Sequence, residues 1–194
     1  MKLHFRLGTL FVLAALGASA LAFAAAPSTP AAAKGKPAAG DKAAKLKRGE
    51  YLTTIMGCND CHTPGTFYGA PDFDRKLSGS DIGWKGPWGV SFARNLTPDA
   101  ETGIGYYSED EIVHSFRTGI KPNGAPMLPP MPWPNFAAVS DEDLHAIAAY
   151  LLSLKPVKHA VPESVPPGGA WSGATIEIPP PPAWDAPRTP PAGK

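Results

Sequence analysis

Cys58-Asn59-Asp60-Cys61-His62 is the stretch that decides the fold of this 194-residue chain. Its C-x-x-C-H spacing is the pattern by which haem becomes covalently attached to protein. Two thiols one helical turn apart can each bond to a vinyl group on one porphyrin edge, and the adjacent histidine then lies under the iron. Because Cys58 and Cys61 are the only cysteines, we predict one covalent haem c, His62 as its proximal ligand, and no disulfide.

Two other uses of a C-x-x-C pair fit the sequence less well. A structural zinc site needs about four ligands, and the chain has no second cysteine pair. A thioredoxin-like redox motif follows a strand within a βαβ unit, whereas residues 45–57 before this motif have a helical pattern.

The N-terminal residues have the features of a secretory signal. Lys2 and Arg6 precede an apolar run at residues 7–16, and Ala22-Phe23-Ala24 has the pattern of a cleavage site. We predict that residues 1–24 are a signal peptide and that the chain works in the periplasm, since haem of this kind is attached after export. The alternative is an uncleaved membrane anchor, because the uncharged stretch after Arg6 is long enough to span a bilayer.

The rest of the chain divides by composition. Residues 25–44 are predicted to be an Ala/Pro/Lys linker, 45–158 a single domain, and 159–194 a Pro-rich tail of extended character rather than a folded unit. Trp171 and Trp184 either pin this tail to the domain or a partner, or are incidental on a loose tail. Removing the signal takes the net charge from +1 to −1, so we do not expect a nucleic-acid partner.

Three helices are predicted in the domain. The first spans residues 44–57 and has Tyr51, Leu52 and Ile55 on its apolar face. Gly49 lies one turn before that face and leaves room for another helix to approach closely.

The other two helices have clear start and stop signals. The second begins at Ser108 and ends at Gly119, and the third begins at Ser140 and closes at Lys155. The long stretch between the first two helices contains one strand-like piece, Gly89–Phe92. A loop of this length is unusual in a compact domain, but it can bury its apolar residues against haem. We therefore expect an all-α domain of a few helices, with long loops wrapped round one covalent haem.

The sixth iron ligand is predicted to be Met131. It lies among three prolines just before the last helix, and a stiff loop suits a weakly binding thioether. Met127 is a second candidate in the same loop, and His114 and His145 are further candidates for the sixth ligand.

The motifs together resemble class I c-type cytochromes. They are most similar to the haem domains in cytochrome subunits of bacterial membrane alcohol and gluconate dehydrogenases, over about residues 45–158. The segments that carry the resemblance are Arg48–Leu52, Cys58–Pro64, Asn95–Asp99, Thr102–Gly105, Phe116–Gly119, Met131–Trp133, Ser140–Leu144 and Ala149–Leu151.

The resemblance implies an all-α fold in which the first and last helices cross. Met131 stands where the family has its ligand methionine. The contacts expected at the crossing are those of Gly49 and Tyr51 with Leu144, Tyr150 and Leu151. Those dehydrogenase subunits resemble three such domains in series, whereas this chain has one, so a small stand-alone carrier fits better.

Trp88, Arg94 and Asn95 are candidates to contact the haem propionates, because an indole N–H and a guanidinium can donate to carboxylates; ordinary loop packing is the alternative. The predicted function is carriage of single electrons between periplasmic or membrane partners of a respiratory chain, such as a dehydrogenase or oxidase. The chain is expected to be an electron carrier and not an enzyme, either free or as the haem subunit of a dehydrogenase complex. The alternative is a haem enzyme or a gas or peroxide sensor with an open or displaceable sixth site.

Overall fold

A computed structural model describes residues 39–178 of the chain. The predicted signal, most of the linker, and the tail beyond residue 178, including Trp184, lie outside the described residues. The helices are α1 (Ala39–Ile55), α2 (Cys58–His62), α3 (Glu109–Thr118), α4 (Trp133–Phe136) and α5 (Asp141–Ser153). The strands are β1 (Gly83–Gly86), β2 (Gly89–Phe92) and β3 (Thr175–Glu177). None of the helices between residues 39 and 178 is long and apolar enough to cross a membrane.

The crossing of α1 and α5 is centred on Gly49. A Cβ atom at this position would overlap the carbonyl of Ala146 and the side chain of Tyr150, so only glycine permits the approach. Leu52 is buried three residues further along the same face and joins the main apolar core. The predicted close approach at Gly49 is thus present in the structure.

The predicted apolar face of α1 is partly wrong. Tyr51 is 53% exposed and Ile55 is 59% exposed, so neither side chain enters the core. Counting from Gly49, the buried face continues through Leu52 and Thr53 at helical spacing. The point of closest helix approach, rather than the pattern of apolar residues, therefore sets which face is buried.

Helix α3 begins and ends where its sequence signals predict. The Ser108 side chain accepts a hydrogen bond from the Glu111 backbone, and the Glu111 carboxylate accepts one in return. Gly119 closes the helix with φ 69°. The main core between α1, α3 and α5 contains the buried side chains of Leu52, Ile112, Val113, Phe116, Leu144, Ile147 and Leu151.

A small sheet lies beside the helices, with strand order β2-β1-β3. The strand-like piece Gly89–Phe92 is β2, which pairs antiparallel with β1, while β3 pairs parallel with β1. The predicted domain of a few helices joined by long loops is present, with this sheet as an addition.

The described part of the predicted tail packs against the domain. Val165 forms a backbone bridge with Val90, and Val161 is buried with Val90 and Phe92. Trp171 stacks edge-on against Phe92, with 4.9 Å between ring centroids. These residues make contacts that a loose tail would lack. They add strand β3 and a small apolar cluster to the domain.

Candidate functional site

The C-x-x-C-H residues form the short helix α2, directly after α1. Gly57, with φ 70°, turns the chain between the two helices, and its carbonyl accepts a hydrogen bond from Asp60 N at 3.0 Å. Cys58, Cys61 and His62 all line one large cavity. The motif therefore presents both sulfur atoms and the imidazole to the same space.

Burial disfavours the thiolate form of both cysteines. Both cysteines are unpaired and half-buried. Burial raises the pKa of Cys58 to about 11 and also raises the pKa of Cys61. Nucleophilic and metal-binding cysteines have lowered pKa values, and no group of three potential metal ligands exists among residues 39–178. The raised pKa values therefore favour the neutral thiol over the thiolate that redox exchange or zinc binding uses.

The imidazole of His62 is held by the backbone. Its Nδ1 atom lies 2.7 Å from the carbonyl oxygen of Arg94, just after β2. A carbonyl can only accept, so Nδ1 carries the proton and Nε2 keeps a lone pair for a metal. Burial lowers the pKa of His62, and the bond to Arg94 opposes that effect. The lowered pKa of His62 favours the neutral ring that ligation requires.

Met131 and Met127 both line this cavity, and both are half-buried. Their loop is tied at its ends: Met127 N donates to Gly119 O at 2.7 Å, and the Ser91 hydroxyl donates to Pro129 O. Met131 also packs against the main core. The position of its side chain is therefore set by packing as well as by proline-rich backbone, which is what a weak axial ligand needs.

The cavity has a volume of about 690 Å³, within the range of sites that enclose a large cofactor. Much of its wall is apolar. Side chains from the loops and helices contribute to it, among them Leu96, Ile104, Ile112, Phe116, Phe136 and Leu151. Such walls suit a flat apolar ring whose few charged groups are confined to one edge.

The three predicted propionate contacts lie in different settings. Trp88 is not part of the cavity wall; its indole N–H is within reach of Ser91 Oγ at 3.2 Å and Trp84 O at 3.3 Å. Asn95 lines the cavity, but its amide N–H groups donate to Thr102 Oγ1 and Val157 O.

Arg94 also lines the cavity, and its guanidinium donates to Pro162 O and Glu163 Oε1, each at 2.8 Å. Arg94 and Asn95 therefore join the cavity wall to the C-terminal segment.

The sequence did not indicate that Trp84 and Lys121 belong to the cavity wall. Trp84 Nε1 is the one buried side-chain nitrogen or oxygen in residues 40–178 without a hydrogen-bond partner. Lys121 is a basic residue of the same wall, and the charges of Arg94 and Glu163 act on its ammonium. Trp84 lies in β1 and Lys121 in a turn after α3, and neither belongs to a sequence motif that distinguishes it. Only the tertiary fold brings them to the haem-binding motif.

The domain matches a known protein family. A family model for cytochrome c matches residues 46–155, more than half of the chain. The chain belongs to the cytochrome c family.

Known relatives of this cytochrome c domain are subunits of larger assemblies. It is 37% identical over 145 residues to the cytochrome c subunit of alcohol dehydrogenase (quinone) from Gluconobacter oxydans (strain 621H), which covers 74% of this chain and 27% of that protein. It is 38% identical over 122 residues to the gluconate 2-dehydrogenase cytochrome c subunit of Pantoea cypripedii, covering 62% and 26%. It is 30% identical over 120 residues to the fructose dehydrogenase cytochrome subunit of Gluconobacter japonicus, covering 61% and 23%. The chain spans about a quarter of the length of these relatives.

Membership of the cytochrome c family means covalently bound haem c and a role in electron transfer rather than catalysis. The residues present fit this group. Two unpaired cysteines and a histidine line one cavity of sufficient volume. Trp84, in the wall, has an indole N–H that lacks an acceptor, and haem brings carboxylates that could serve as one. The resemblance to haem domains of alcohol and gluconate dehydrogenase subunits is confirmed as well.

Proposed function

We propose that this chain is a single-electron carrier that holds one haem c between His62 and Met131. The observation that carries the proposal is that Cys58, Cys61, His62 and Met131 line one cavity. When bound there, haem supplies a single-electron couple between ferric and ferrous iron. The protein's part is to hold both axial ligands, exclude water from the ring, and set the reduction potential and the partner.

Each ligand has its own support in the fold. The backbone of Arg94 orients His62, and a loop tied to Gly119 and Ser91 positions Met131. If His62 and Met131 both bound the iron, no open site would remain for a substrate, which favours electron carriage over catalysis or gas sensing. Met131 is preferred over Met127 because it packs against the core between α1, α3 and α5.

The partner is proposed to be a substrate-oxidising dehydrogenase at the periplasmic face of the membrane. The support is the set of relatives that are cytochrome subunits of alcohol, gluconate and fructose dehydrogenases. The proposed compartment is the periplasm, in line with the signal-like pattern of residues 1–24. The chain would pass electrons from such an enzyme toward a respiratory chain.

Haem count and attachment can be tested by mass spectrometry of the full chain, exported from a host that has a haem-attachment system. We expect a mass increase of one haem that survives denaturation. Cys58→Ser and Cys61→Ser should each leave one thioether and weaken retention of haem. A chain that loses all haem on denaturation, or gains two, would contradict the proposal.

The partner can be tested by stopped-flow mixing of the oxidised holoprotein with a reduced quinone-dependent alcohol dehydrogenase. We expect reduction of the cytochrome at a rate that rises with enzyme concentration. If that enzyme reduces it no faster than a chemical reductant of equal potential, the dehydrogenase assignment fails, while electron carriage stands.

A further inference from the structure

Lys121 occupies a rigid turn beside the cavity. The turn follows α3, and Gly124 closes it with φ 79°. Gly124 N donates to Lys121 O at 2.8 Å, and Lys121 N donates to Ala125 O at 2.9 Å. Ile120 and Pro126 form a backbone bridge across the base of the turn. The backbone at Lys121 is therefore held by hydrogen bonds, and the residue lines the cavity together with Arg94 and Glu163, whose charges act on its ammonium.

The ammonium of Lys121 has no partner of its own. Within residues 39–178 it makes no hydrogen bond and no ion pair, although the residue is half-buried. Burial lowers the pKa of Lys121, the nearby guanidinium of Arg94 lowers it further, and Glu163 partly opposes this. A cation in such a place is unfavourable unless an anion accompanies it.

The three carboxylates of the cavity wall, those of Asp60, Glu101 and Glu163, make no ion pair with Lys121. Glu163 is paired with Arg94 at 2.8 Å, and Glu101 is paired with Lys158 at 2.5 Å. The guanidinium of Arg94 in turn donates hydrogen bonds to Glu163 and to the carbonyl of Pro162. The wall thus has one cation engaged with the C-terminal segment and another, Lys121, left for an anion that enters the cavity.

We propose that Lys121 is the residue that pairs with a haem propionate, and that Arg94 instead clamps the C-terminal segment that forms the adjacent wall. This inference rests on the haem binding proposed above. The propionates are the anions that haem carries into the cavity, and an ammonium facing a carboxylate makes a charge-assisted hydrogen bond. A positive charge near the iron also favours the reduced state, so Lys121 should raise the reduction potential.

The test compares the holoprotein with three variants: Lys121→Gln, Lys121→Arg and Lys155→Gln. Lys155 is an exposed lysine that does not line the cavity, so Lys155→Gln makes the same charge change elsewhere. Two quantities are measured at one low ionic strength: the reduction potential, and the propionate bending band in the resonance Raman spectrum. The band reports hydrogen bonding to the propionate directly, whereas the potential also responds to distant charges.

We expect Lys121→Gln to lower the potential by more than Lys155→Gln does and to shift the propionate band, which Lys155→Gln should leave in place. Lys121→Arg retains the charge and should stay near the wild-type potential. The inference is overturned if Lys121→Gln and Lys155→Gln have equal effects, or if Lys121→Arg matches Lys121→Gln. These results leave haem carriage intact, whereas a wild-type chain without covalent haem would overturn both proposals.

Discussion

The Nδ1 atom of His62 lies 2.7 Å from the backbone carbonyl oxygen of Arg94. This bond links the haem-binding motif to Arg94, two residues after the end of β2 and 32 positions further along the chain than His62. A backbone carbonyl cannot be removed by changing the Arg94 side chain, so the orientation of the imidazole depends on the path of the loop. The orientation of the His62 ring is thus set by the fold rather than by a second side chain.

The bond predicts slow exchange of the His62 Nδ1 proton. The ring is buried, and its donor has a partner, so exchange with solvent requires local opening. In NMR spectra of the reduced protein in D2O, this proton should persist longer than the ring protons of exposed His114. Loss of the signal at the rate found for His114 would mean that the bond is absent in solution.

Met131→Ala should open the iron, because its side chain is the one proposed to fill the sixth position. We expect carbon monoxide binding by the reduced protein and a lower reduction potential than in the wild type. Met127→Ala is the matched control, since Met127 lines the same cavity and belongs to the same loop. If instead Met127→Ala binds carbon monoxide and Met131→Ala does not, the two assignments must be exchanged.

Gly49→Ala should destabilise the protein by about 2 kcal/mol, because its new methyl group would overlap the Ala146 carbonyl and force α1 away from α5. Gly40→Ala is the control in the same helix. A Cβ there meets no atom within 4 Å, so stability should stay the same or rise slightly. The free energy of unfolding in urea measures both. Equal stability of the two variants would refute the close packing at Gly49.

The pair Arg48–Asp143 should make stability depend on pH in acid. It joins α1 to α5, with Arg48 Nε 2.8 Å from Asp143 Oδ1. The hydrogen bond from Arg48 lowers the pKa of Asp143, so the folded state holds this carboxylate ionised where the unfolded chain binds a proton. Its contribution is complete above the unfolded pKa and is lost as the pH falls through the lower folded pKa.

Asp143→Asn should therefore lower stability near neutral pH and flatten the acid limb of a stability-against-pH curve. The size of the effect is limited because Arg48 is half exposed. Asp74→Asn, at an exposed carboxylate without an ion pair in the described part of the chain, should leave the curve unchanged. An acid limb equally steep in wild type and Asp143→Asn would exclude this pair as its origin.

Local signals predicted local structure well. The capping box at Ser108 and the glycine stop at Gly119 predict the two ends of α3, and both signals are present in the structure. The face of α1 was mispredicted at Tyr51 and Ile55, because tight contact at Gly49 decides which side turns inward.

Contacts between residues far apart in the chain could not be predicted from the sequence. Strand β3 pairs with β1 across about 90 residues, with Thr175 opposite Gly83, and no pattern near either strand indicates the pairing. For the same reason the cavity wall at Trp84 and Lys121 could not be predicted: these residues reach the C-x-x-C-H motif only through the fold. The motif itself is local in sequence, which is why the cofactor could be predicted from it.

The most direct test of a six-coordinate electron carrier is the optical spectrum of the exported holoprotein in both oxidation states, with and without carbon monoxide. We predict a methionine–iron charge-transfer band in the oxidised protein and no change in the reduced spectrum when carbon monoxide is added. A high-spin spectrum, or ready binding of carbon monoxide by the wild type, would contradict the account and indicate an open site for catalysis or sensing.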